Sequence, residues 1–296
     1  MLLAALGSSS ARVAPTASLL RAASLRCSSF PARGVSSRSP SLAARVARVH
    51  ARPTAMASAS SPDAYGEHSV VAASGGRTPA DAALADALVA SGARVVLGSK
   101  SFTRRAILSS MGIEHDVVVA DIDERAIRRD DPEDLVLVLA HAKADAIVRR
   151  AETDEATAEA IADAFLVTSD QVVVHDGAIR EKPEDEAEAR AFIASYGVTP
   201  PSTVGAIVVT DVRTGARFAG GDRSTIVFAP VPGETIEHLV REGECMSCAG
   251  GLMVEHPKMA PLVKEIQGSM DGLMGLSKTL LGDLLGKALE ARREAS

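Results

Sequence analysis

From residue 94 onward, the sequence alternates between short apolar runs and longer segments with helical periodicity, and this alternation constrains the fold most strongly. ARVVLGS begins the series as a strand, SFTRRAILSSMGI follows as a helix ended by Gly112, and HDVVVADID is a second strand. Strands that alternate with helices, with no long linker between them, build an α/β domain. We therefore predict an α/β fold with a mixed, twisted sheet and flanking helices.

The same pattern continues to the end of the chain. We predict further helices at residues 131–151, 153–163, 183–196, 232–243 and 277–293. We predict further strands at residues 164–170, 202–212, 223–231, 250–256 and 262–269, with a tight Asp-Gly hairpin at 172–179. An earlier Ala-rich helix has Thr78 as its N-cap and Pro79 at its first position. The predicted organisation is a linker with this short helix at 63–93, a main domain at 94–290 and a tail at 291–296.

Residues 1–62 differ in composition from the rest of the chain. They contain eight Arg and no Lys, Asp or Glu, so their net charge is +8. Because the whole chain has a net charge of −6, residues 63–296 carry −14. An acid-free segment rich in Ser, Ala and Arg is typical of an organelle transit peptide, and the alternative is a disordered basic tail. The Ser and Ala content favours a chloroplast over a mitochondrion. A second start at Met56 would give a cytosolic form.

The acidic charge of the remaining chain bears on its partners, because it supplies no broad basic face for polymeric nucleic acid. Aromatic residues make up 3% of the sequence and Trp is absent, so we expect no stacking surface for single strands. No apolar run approaches the ~18 residues of a membrane-spanning helix. We therefore expect neither polymeric nucleic acid nor a membrane as partner. A small anion in a local basic pocket stays open.

Two of the three cysteines, Cys245 and Cys248, form a C-x-x-C motif. A zinc site would need two more ligands at suitable spacing, and of the possible ligands only His256 is near. A redox pair would be expected where a helix begins after a strand. A metal site, a redox site and an ordinary packed loop all stay open, and we favour the packed loop.

The stretch LGSKSFTRR, residues 97–105, joins a strand to a helix and is a candidate anion site. Free backbone N–H groups and the positive end of the helix dipole attract anions at such a place. Arg104 in the first turn opposes the dipole, which costs about a few tenths of a kcal/mol unless an anion is bound. A Ser-capped helix with solvated arginines explains the stretch equally well. The stretch is not a P-loop, and the sequence has no G-x-G-x-x-G.

Four further charged residues stand out by their positions. They are Glu124 after the second strand, Lys143 on an otherwise apolar helix, Asp170 at a strand's carboxyl end and Lys182 before a proline. The carboxyl ends of strands are where α/β proteins tend to place their sites. Two carboxylates can hold a divalent metal, and two lysines with an arginine can neutralise a polyphosphate. Taken singly, each residue is better explained as a locally paired surface charge.

Seven motifs occur in order between residue 94 and about residue 288, and together they resemble one family. They are LGSKSFTRRAIL, DIDE, LAHAKADAI, TSDQVVV, GAIREKP, REGECMSCAGG and EIQGSMDGLMGL. The chain thereby resembles the Maf family of nucleoside triphosphate pyrophosphatases over about two thirds of its length. The resemblance implies an α/β fold with a central cleft and cleavage of a nucleoside triphosphate to the monophosphate and pyrophosphate. It also implies a divalent metal, Mg²⁺ or Mn²⁺, and a homodimer.

The resemblance assigns roles to the charged residues position by position. Asp170 is the expected general base for the water that attacks the α-phosphate, and with Glu124 it would hold the metal. The expected phosphate ligands are Ser99, Arg104, Lys143 and Lys182. In-line phosphoryl chemistry needs charge neutralisation and positioning more than covalent help, which agrees with this set.

Two branches of the family differ at positions that shape the choice of base. One prefers thymidine or uridine triphosphates and carries Asp-Thr after the strand and a later Gln. The other prefers 7-methyl-GTP and carries Ser-Asp-Gln and a Glu, as this chain does at Ser169-Asp170-Gln171 and at Glu255. A carboxylate only accepts hydrogen bonds, so Glu255 suits the two N–H donors on the Watson–Crick edge of guanine. The third specificity position is Thr103, where the family usually has Arg or Trp.

Three classes of function stay open from the sequence. The leading one is a pyrophosphatase that removes modified nucleotides, with 7-methyl-GTP as the favoured substrate and a dTTP/UTP type as the alternative. The second is a nucleotide-binding regulator without useful turnover. The third is a redox or zinc protein that depends on its C-x-x-C motif.

Overall fold

The computed structural model describes residues 72–295; the predicted transit segment, Met56 and residues 63–71 lie outside the described residues. The helices are α1 (Pro79–Ser91), α2 (Phe102–Ser110), α3 (Pro132–Ala151), α4 (Glu155–Ile161), α5 (Glu186–Ser195), α6 (Gly233–Glu242), α7 (Met270–Leu273) and α8 (Lys278–Glu294). The strands are β1 (Arg94–Leu97), β2 (His115–Val117), β3 (Ala164–His175), β4 (Ala178–Arg180), β5 (Ser202–Asp211), β6 (Arg217–Phe228) and β7 (Val263–Gln267). Within this part of the chain, no helix is long and apolar enough to cross a membrane.

The described strands form one seven-stranded sheet in the order β2-β1-β3-β5-β6-β7, with β4 paired to β3. β1 is parallel to both β2 and β3. The pairs of β3 with β4 and β5, of β5 with β6 and of β6 with β7 are antiparallel. The predicted α/β fold with a mixed sheet and flanking helices is therefore confirmed.

β3 begins with four consecutive apolar residues, 164–167, because both faces of the sheet are covered there. Successive side chains of a strand point to opposite faces. Phe165 and Val167 pack into the main core with α1, α2 and α8, whereas Leu166 packs on the other side against α3 and α4. Burying each such side chain contributes about 1.5–3 kcal/mol. β3 is thus fixed between two layers of helices, and it carries the residues of the candidate site.

The prediction of a strand at residues 250–256 is wrong. The chain there forms a 3₁₀ turn at Ala249–Gly251 and then irregular turns, because Gly250 and Gly251 have positive φ angles of 60° and 62°. The Tyr196 hydroxyl donates to the Gly250 carbonyl at 2.6 Å, and a Cβ at Gly250 would lie 2.5 Å from that hydroxyl oxygen. Only glycine accommodates both the left-handed backbone and this close approach.

The predicted second strand, HDVVVADID, is shorter than expected. β2 ends at Val117, which pairs with Leu97, the last residue of β1. β2 is an edge strand, so it has no other partner in the sheet order once β1 ends. The chain then continues without regular structure to a 3₁₀ turn at Glu124–Ala126.

The segments on either side of the predicted main domain contain packed residues, and the predicted boundary at residue 290 falls inside α8. The helix predicted around Thr78 and Pro79 forms as α1, and its Ala85 and Leu88 are buried in the main core beside α8. At the other end, α8 continues to Glu294, and Arg292 is buried. α1 and the end of α8 therefore pack against the main domain, and the division of the chain into linker, domain and tail stays a prediction.

Candidate active site

A glycine brings the end of β1 close to the middle of β3. The Gly98 amide donates to the Val167 carbonyl at 2.8 Å and so extends the parallel ladder by one residue. A Cβ at Gly98 would lie 2.6 Å from Thr168 Cγ2 and 2.9 Å from Ile147 Cδ1, so a side chain would force the strand end away. This close approach places Ser99, which is buried, beside the strand that carries the acidic site residue.

Arg104 is held by three hydrogen bonds and is not a solvated side chain. Its Nη1 donates to Ser99 Oγ at 3.3 Å and to the Ser169 carbonyl at 3.1 Å, and its Nε donates to the Gly275 carbonyl at 2.9 Å. The interpretation of this stretch as a Ser-capped helix is correct in part, since Ser101 caps α2. The guanidinium itself contacts the backbone of β3 at Ser169.

The Gly275 carbonyl was missed by the sequence analysis. It lies in the turn between α7 and α8 and orients Arg104 from 171 positions along the chain. The one sequence feature that pointed to it was the last glycine of the motif EIQGSMDGLMGL. Gly275 adopts a φ of 102°, a conformation that other residues rarely adopt.

Lys143 lies between two carboxylates. Its ammonium contacts the carboxylate of Asp170 directly, lies 2.8 Å from Glu124 Oε1 and lies 3.4 Å from the Ser169 carbonyl. Lys143 and Asp170 are both buried at 8% exposure, whereas Glu124 is half-buried at the start of its 3₁₀ turn. The helix α3, the strand β3 and the turn after β2 therefore converge at one point, where the two carboxylate groups face the same cation.

The charges around this point favour the ionised form of Glu124. Burial alone would raise the pKa of Glu124. The ammonium of Lys143, with smaller contributions from Lys182 and Arg104, outweighs burial and holds that pKa below its ordinary value. Burial lowers the pKa of Arg104, and the negative charges of Asp170 and Glu124 oppose this change. Lys182 and Arg104 therefore both act on Glu124, and Arg104 also interacts with Asp170.

Asp170 does not lie at a strand's carboxyl end, so that prediction is wrong. β3 runs on to His175 as one strand of 12 residues, and Asp170 pairs with Ala206 of β5 in its middle. The strand continues because β5 supplies antiparallel partners for it from Phe165 to Val174. Asp170 nevertheless lies beyond the parallel part of the sheet, which ends where Leu97 pairs with Val167.

The three predicted specificity residues come from separate elements. Gln171 follows the site aspartate on β3, and its side chain donates to the Gly272 carbonyl at 2.7 Å. Thr103 lies half-buried in the first turn of α2. Glu255 is buried in the loop after α6, close to the thiol of Cys248. Direct contacts join Lys143 to Glu124 and Asp170, and Arg104 to Ser99. Lys182 is exposed in the loop after β4, and Glu255 lies on a different loop.

The C-x-x-C motif has the properties of a packed loop. Cys245 and Cys248 are free thiols on and beside 3₁₀ turns, and neither stands at the start of a helix after a strand. Burial raises the pKa of the Cys245 thiol, and burial together with Glu255 raises the pKa of Cys248 to about 12. Redox reactions and metal binding need the thiolate, so raised pKa values disfavour both.

His256, the possible third ligand of that motif, lies instead with two residues of α6. One ligand atom from each of His238, Glu242 and His256 lies within 4.8 Å of the others. This group was not predicted from the sequence, although the His-x-x-x-Glu spacing places His238 and Glu242 on one face of a helix. It is a possible metal-binding group of the His/Glu type.

The fold is of the α/β class, and its candidate site gathers two carboxylates, Lys143 and Arg104 around the middle of β3. Comparison with known proteins identifies the family: the model described as "Maf-like protein" matches residues 94–288. The chain belongs to the Maf family.

Similar proteins include enzymes named for nucleotide cleavage. The chain is 38% identical over 193 residues, 65% of its length, to a 7-methyl-GTP pyrophosphatase of Dictyostelium discoideum, 96% of which is covered. It is 33% identical over 197 residues to a nucleoside triphosphate pyrophosphatase of Salinispora tropica, with 66% of this chain and 83% of that protein covered. It is 28% identical over 194 residues to a dTTP/UTP pyrophosphatase of Alkaliphilus metalliredigens, with 66% and 95% covered.

Proposed function

We propose that this protein is a nucleoside triphosphate pyrophosphatase that hydrolyses modified nucleotides to the monophosphate and pyrophosphate, with 7-methyl-GTP as its preferred substrate. The observation that carries this proposal is the contact of Lys143 with both Asp170 and Glu124, with Arg104 and Lys182 beside them. A buried carboxylate surrounded by cations is what hydrolysis of a polyphosphate requires.

The donor set also fits a divalent cation. Asp170 and Glu124 contact the same ammonium nitrogen, so their oxygens converge on one point in space. Carboxylate oxygens suit Mg²⁺ and Mn²⁺, which bind a substrate triphosphate through one or two protein carboxylates. When bound, such a cation would neutralise negative charge on the phosphate oxygens. Glu124 and Asp170 would hold it.

The residues of the chain supply the remaining chemistry. Asp170 accepts a proton from a water molecule, whose oxygen attacks the α-phosphorus. The bond between the α-phosphorus and the oxygen that bridges to the β-phosphorus breaks, and pyrophosphate leaves with that oxygen. Arg104, Lys143 and Lys182, with the Ser99 hydroxyl, bind phosphate oxygens and neutralise the charge that develops on the leaving group.

The preference for 7-methyl-GTP is supported by residues at the base-reading positions. Gln171 and Glu255 match the branch of the family that prefers 7-methyl-GTP, and the relative from Dictyostelium discoideum is named for that activity. The buried carboxylate of Glu255 would accept both N–H donors of a guanine edge, whereas it would face the carbonyls of a pyrimidine with repulsion. We propose Thr103 as the third residue that shapes base choice.

A panel of nucleotides tests the reaction and the substrate together. Purified residues 57–296 would be supplied with Mg²⁺ or Mn²⁺ and with 7-methyl-GTP, dTTP, UTP and the other canonical triphosphates, and pyrophosphate would be detected. We expect release with 7-methyl-GTP to be the fastest. Faster release with pyrimidine nucleotides would support pyrophosphatase activity but refute the preference for 7-methyl-GTP. No release by the folded protein would favour a nucleotide-binding regulator without turnover.

Replacing Glu255 by Gln should change the choice of base. The amide offers one acceptor and one donor, so one N–H of the guanine edge loses its charged partner, which costs about 1.5–3 kcal/mol. We expect kcat/KM for 7-methyl-GTP to fall about 10-fold or more, with a much smaller change for UTP, as measured by pyrophosphate release. Glu265→Gln is the matched control, because Glu265 is exposed on β7. Equal losses for both substrates would show that Glu255 does not read the base.

The oligomeric state and the location of the protein are further parts of the proposal. We propose a homodimer, as the family resemblance implies, and light scattering of the purified protein would refute it by giving a monomer mass. We propose delivery to the chloroplast by residues 1–62, supported by their Arg-rich, acid-free composition. A fluorescent fusion of residues 1–62 that stays in the cytosol would refute that location.

A further inference from the structure

Three side chains that the proposed reaction does not use converge at the end of α6. His238 and Glu242 stand one helical turn apart, and His256 approaches from the loop that follows the C-x-x-C motif. His238 Nε2 lies 3.0 Å from Glu242 Oε1, and His256 Nε2 lies 3.0 Å from Glu242 Oε2. The carboxylate therefore offers one oxygen to each imidazole.

The spacing of these atoms suits a small tetrahedral metal ion. Zn²⁺ binds imidazole nitrogen and carboxylate oxygen at about 2.0–2.2 Å, so neighbouring ligand atoms of a tetrahedral site lie roughly 3.3 Å apart. The two measured separations of 3.0 Å are near this value, and all three ligand atoms lie within 4.8 Å of one another. The two imidazole rings are 6.0 Å apart between centroids and inclined at 60°, so they do not stack on each other.

One nitrogen of the group lacks a well-directed hydrogen bond. The Nε2 atom of His238 is buried, and it makes no hydrogen bond of acceptable geometry within residues 72–295, although Glu242 is near. A buried polar atom without a partner costs about 1–3 kcal/mol in mutational data. A ligand at the centre of the group would use this lone pair.

We propose that His238, Glu242 and His256 form a zinc site, with three protein ligands and a water molecule in the fourth position. Two imidazoles and one carboxylate are a donor set that binds Zn²⁺ in proteins, whereas Mg²⁺ and Ca²⁺ prefer oxygen ligands. The site uses no residue of the cluster around Asp170. It goes beyond the proposed reaction, and its existence does not depend on that reaction.

The position of the site suggests what the metal would do. His256 belongs to a segment without regular strands, which is held by buried apolar residues such as Met253, Val254 and Met259. A metal shared with α6 would fasten this segment to a regular helix. Glu255 immediately precedes His256, so the zinc site would also fix the residue to which the proposed function gives base selection.

The hydrogen bonds of His256 predict a spectroscopic sign of zinc binding. The Lys258 amide donates to His256 Nδ1 at 3.2 Å, so in the metal-free neutral ring the proton is on Nε2 and faces Glu242. Coordination through Nε2 moves this proton to Nδ1, and the Lys258 amide must then turn away. The number of protons on the ring is unchanged. Nitrogen NMR of the ring should therefore report a change of tautomer.

Zinc titration of the whole chain, without an affinity tag and after treatment with a chelator, tests the proposal. We expect one zinc ion per chain, measured by calorimetry and by metal analysis. We expect the zinc affinity of His238→Gln and of Glu242→Gln to fall at least 100-fold. At 100-fold zinc over the dissociation constant, the Tm of the unsubstituted protein should rise by about 5 °C.

Three controls exclude a histidine outside the group and the two cysteines as zinc ligands. His141→Gln, on α3, should bind zinc normally, and so should the double variant Cys245→Ser and Cys248→Ser. Substitution by Co²⁺ should give a tetrahedral absorption spectrum without a thiolate charge-transfer band. Circular dichroism verifies that each variant is folded, and the partly exposed His238 makes its substitution tolerable.

Either of two results would overturn the proposal. One is that the folded chain takes up no zinc at micromolar concentrations. The other is that zinc binds with unchanged affinity in both His238→Gln and Glu242→Gln, which would assign the metal to other residues. Pyrophosphate release is measured separately, so failure of the zinc site and failure of the proposed reaction are distinguishable.

Discussion

Replacing Asp170 by Asn is expected to lower kcat for pyrophosphate release by about 10²–10⁴-fold, the range that a general base contributes. The amide has almost the same shape as the carboxylate but does not accept a proton from water at neutral pH. It also removes one of the two carboxylates proposed to hold the metal. The measurement is the pyrophosphate release rate at saturating nucleotide and metal.

The fold should survive this substitution. Asp170 contacts Lys143, and the carbonyl oxygen of Asn would still accept a hydrogen bond from that ammonium. Glu124 remains as a charged partner of Lys143 at 2.8 Å, so the buried cation is not left unpaired. We therefore expect the nucleotide to bind to the variant, as measured by calorimetry, while turnover is lost.

The matched control is Asp176→Asn on the same hairpin. Asp176 is exposed, with a φ of 50° in the turn before Gly177, and Asn suits this conformation equally well. The control should release pyrophosphate at the rate of the unsubstituted protein. If Asp170→Asn retained full turnover, another residue would be the base and the proposed mechanism would be wrong.

Replacing Arg292 by Met is expected to lower the free energy of unfolding by about 3–5 kcal/mol, because it leaves a buried charge without its partner. Arg292 binds the carboxylate of Asp211 with two nitrogens, one of them Nε at 2.9 Å, and both side chains are buried. Its Nη1 also donates to the Asp163 carbonyl at 2.9 Å, and its guanidinium lies 4.0 Å from the centre of the Phe165 ring. Denaturant unfolding measures the effect.

The pH dependence of this loss has a definite sign. Burial alone would raise the pKa of Asp211, but the hydrogen bonds and the charge of Arg292 outweigh burial and lower that pKa. A carboxylate with a lowered pKa stabilises the fold above its unfolded pKa, and this contribution is lost as the pH falls through the folded pKa. In the variant, protonation relieves the unpaired charge. The gap in stability between the two proteins should therefore narrow as the pH falls towards about 4, the ordinary pKa of an Asp carboxyl group, and should narrow further below it.

The neighbouring residue supplies the control. Arg293 is exposed on the same helix, so Arg293→Met should change the free energy of unfolding by about 0.5 kcal/mol or less. Adding Asp211→Asn to Arg292→Met should recover part of the lost stability, since it removes the unpaired charge. A loss at Arg292 no larger than at Arg293 would show that the buried pair does not stabilise the fold.

Local patterns in the sequence were sufficient for the type and order of most elements. The cap at Thr78 with Pro79, the alternation of helices with apolar strands and the Asp-Gly turn at residue 176 each follow from chemistry within a few residues. The error at residues 250–256 arose because an apolar composition hid two glycines whose backbone is left-handed. Their conformation depends on Tyr196, which is distant in the chain.

In the candidate site, too, some features follow from the local sequence and others depend on distant residues. Motif order pointed to Ser99, Arg104, Glu124, Lys143, Asp170 and Lys182 as one set. The sequence placed Asp170 at the end of a strand, whereas β5 extends that strand by pairing with it on both sides of Asp170. The contact that orients Arg104 comes from Gly275, and the group around His256 depends on α6 folding back against its own loop.

By itself, the sequence determined the α/β class, the order of the elements and the residue types available for chemistry, because periodicity and caps act over one or two turns of chain. Only the tertiary structure decided which charges meet. Lys143 and Asp170 are 27 positions apart, and Asp211 and Arg292 are 81 apart. Pairs at such separations form through the order and register of the sheet and the packing of helices on it, which no local pattern encodes.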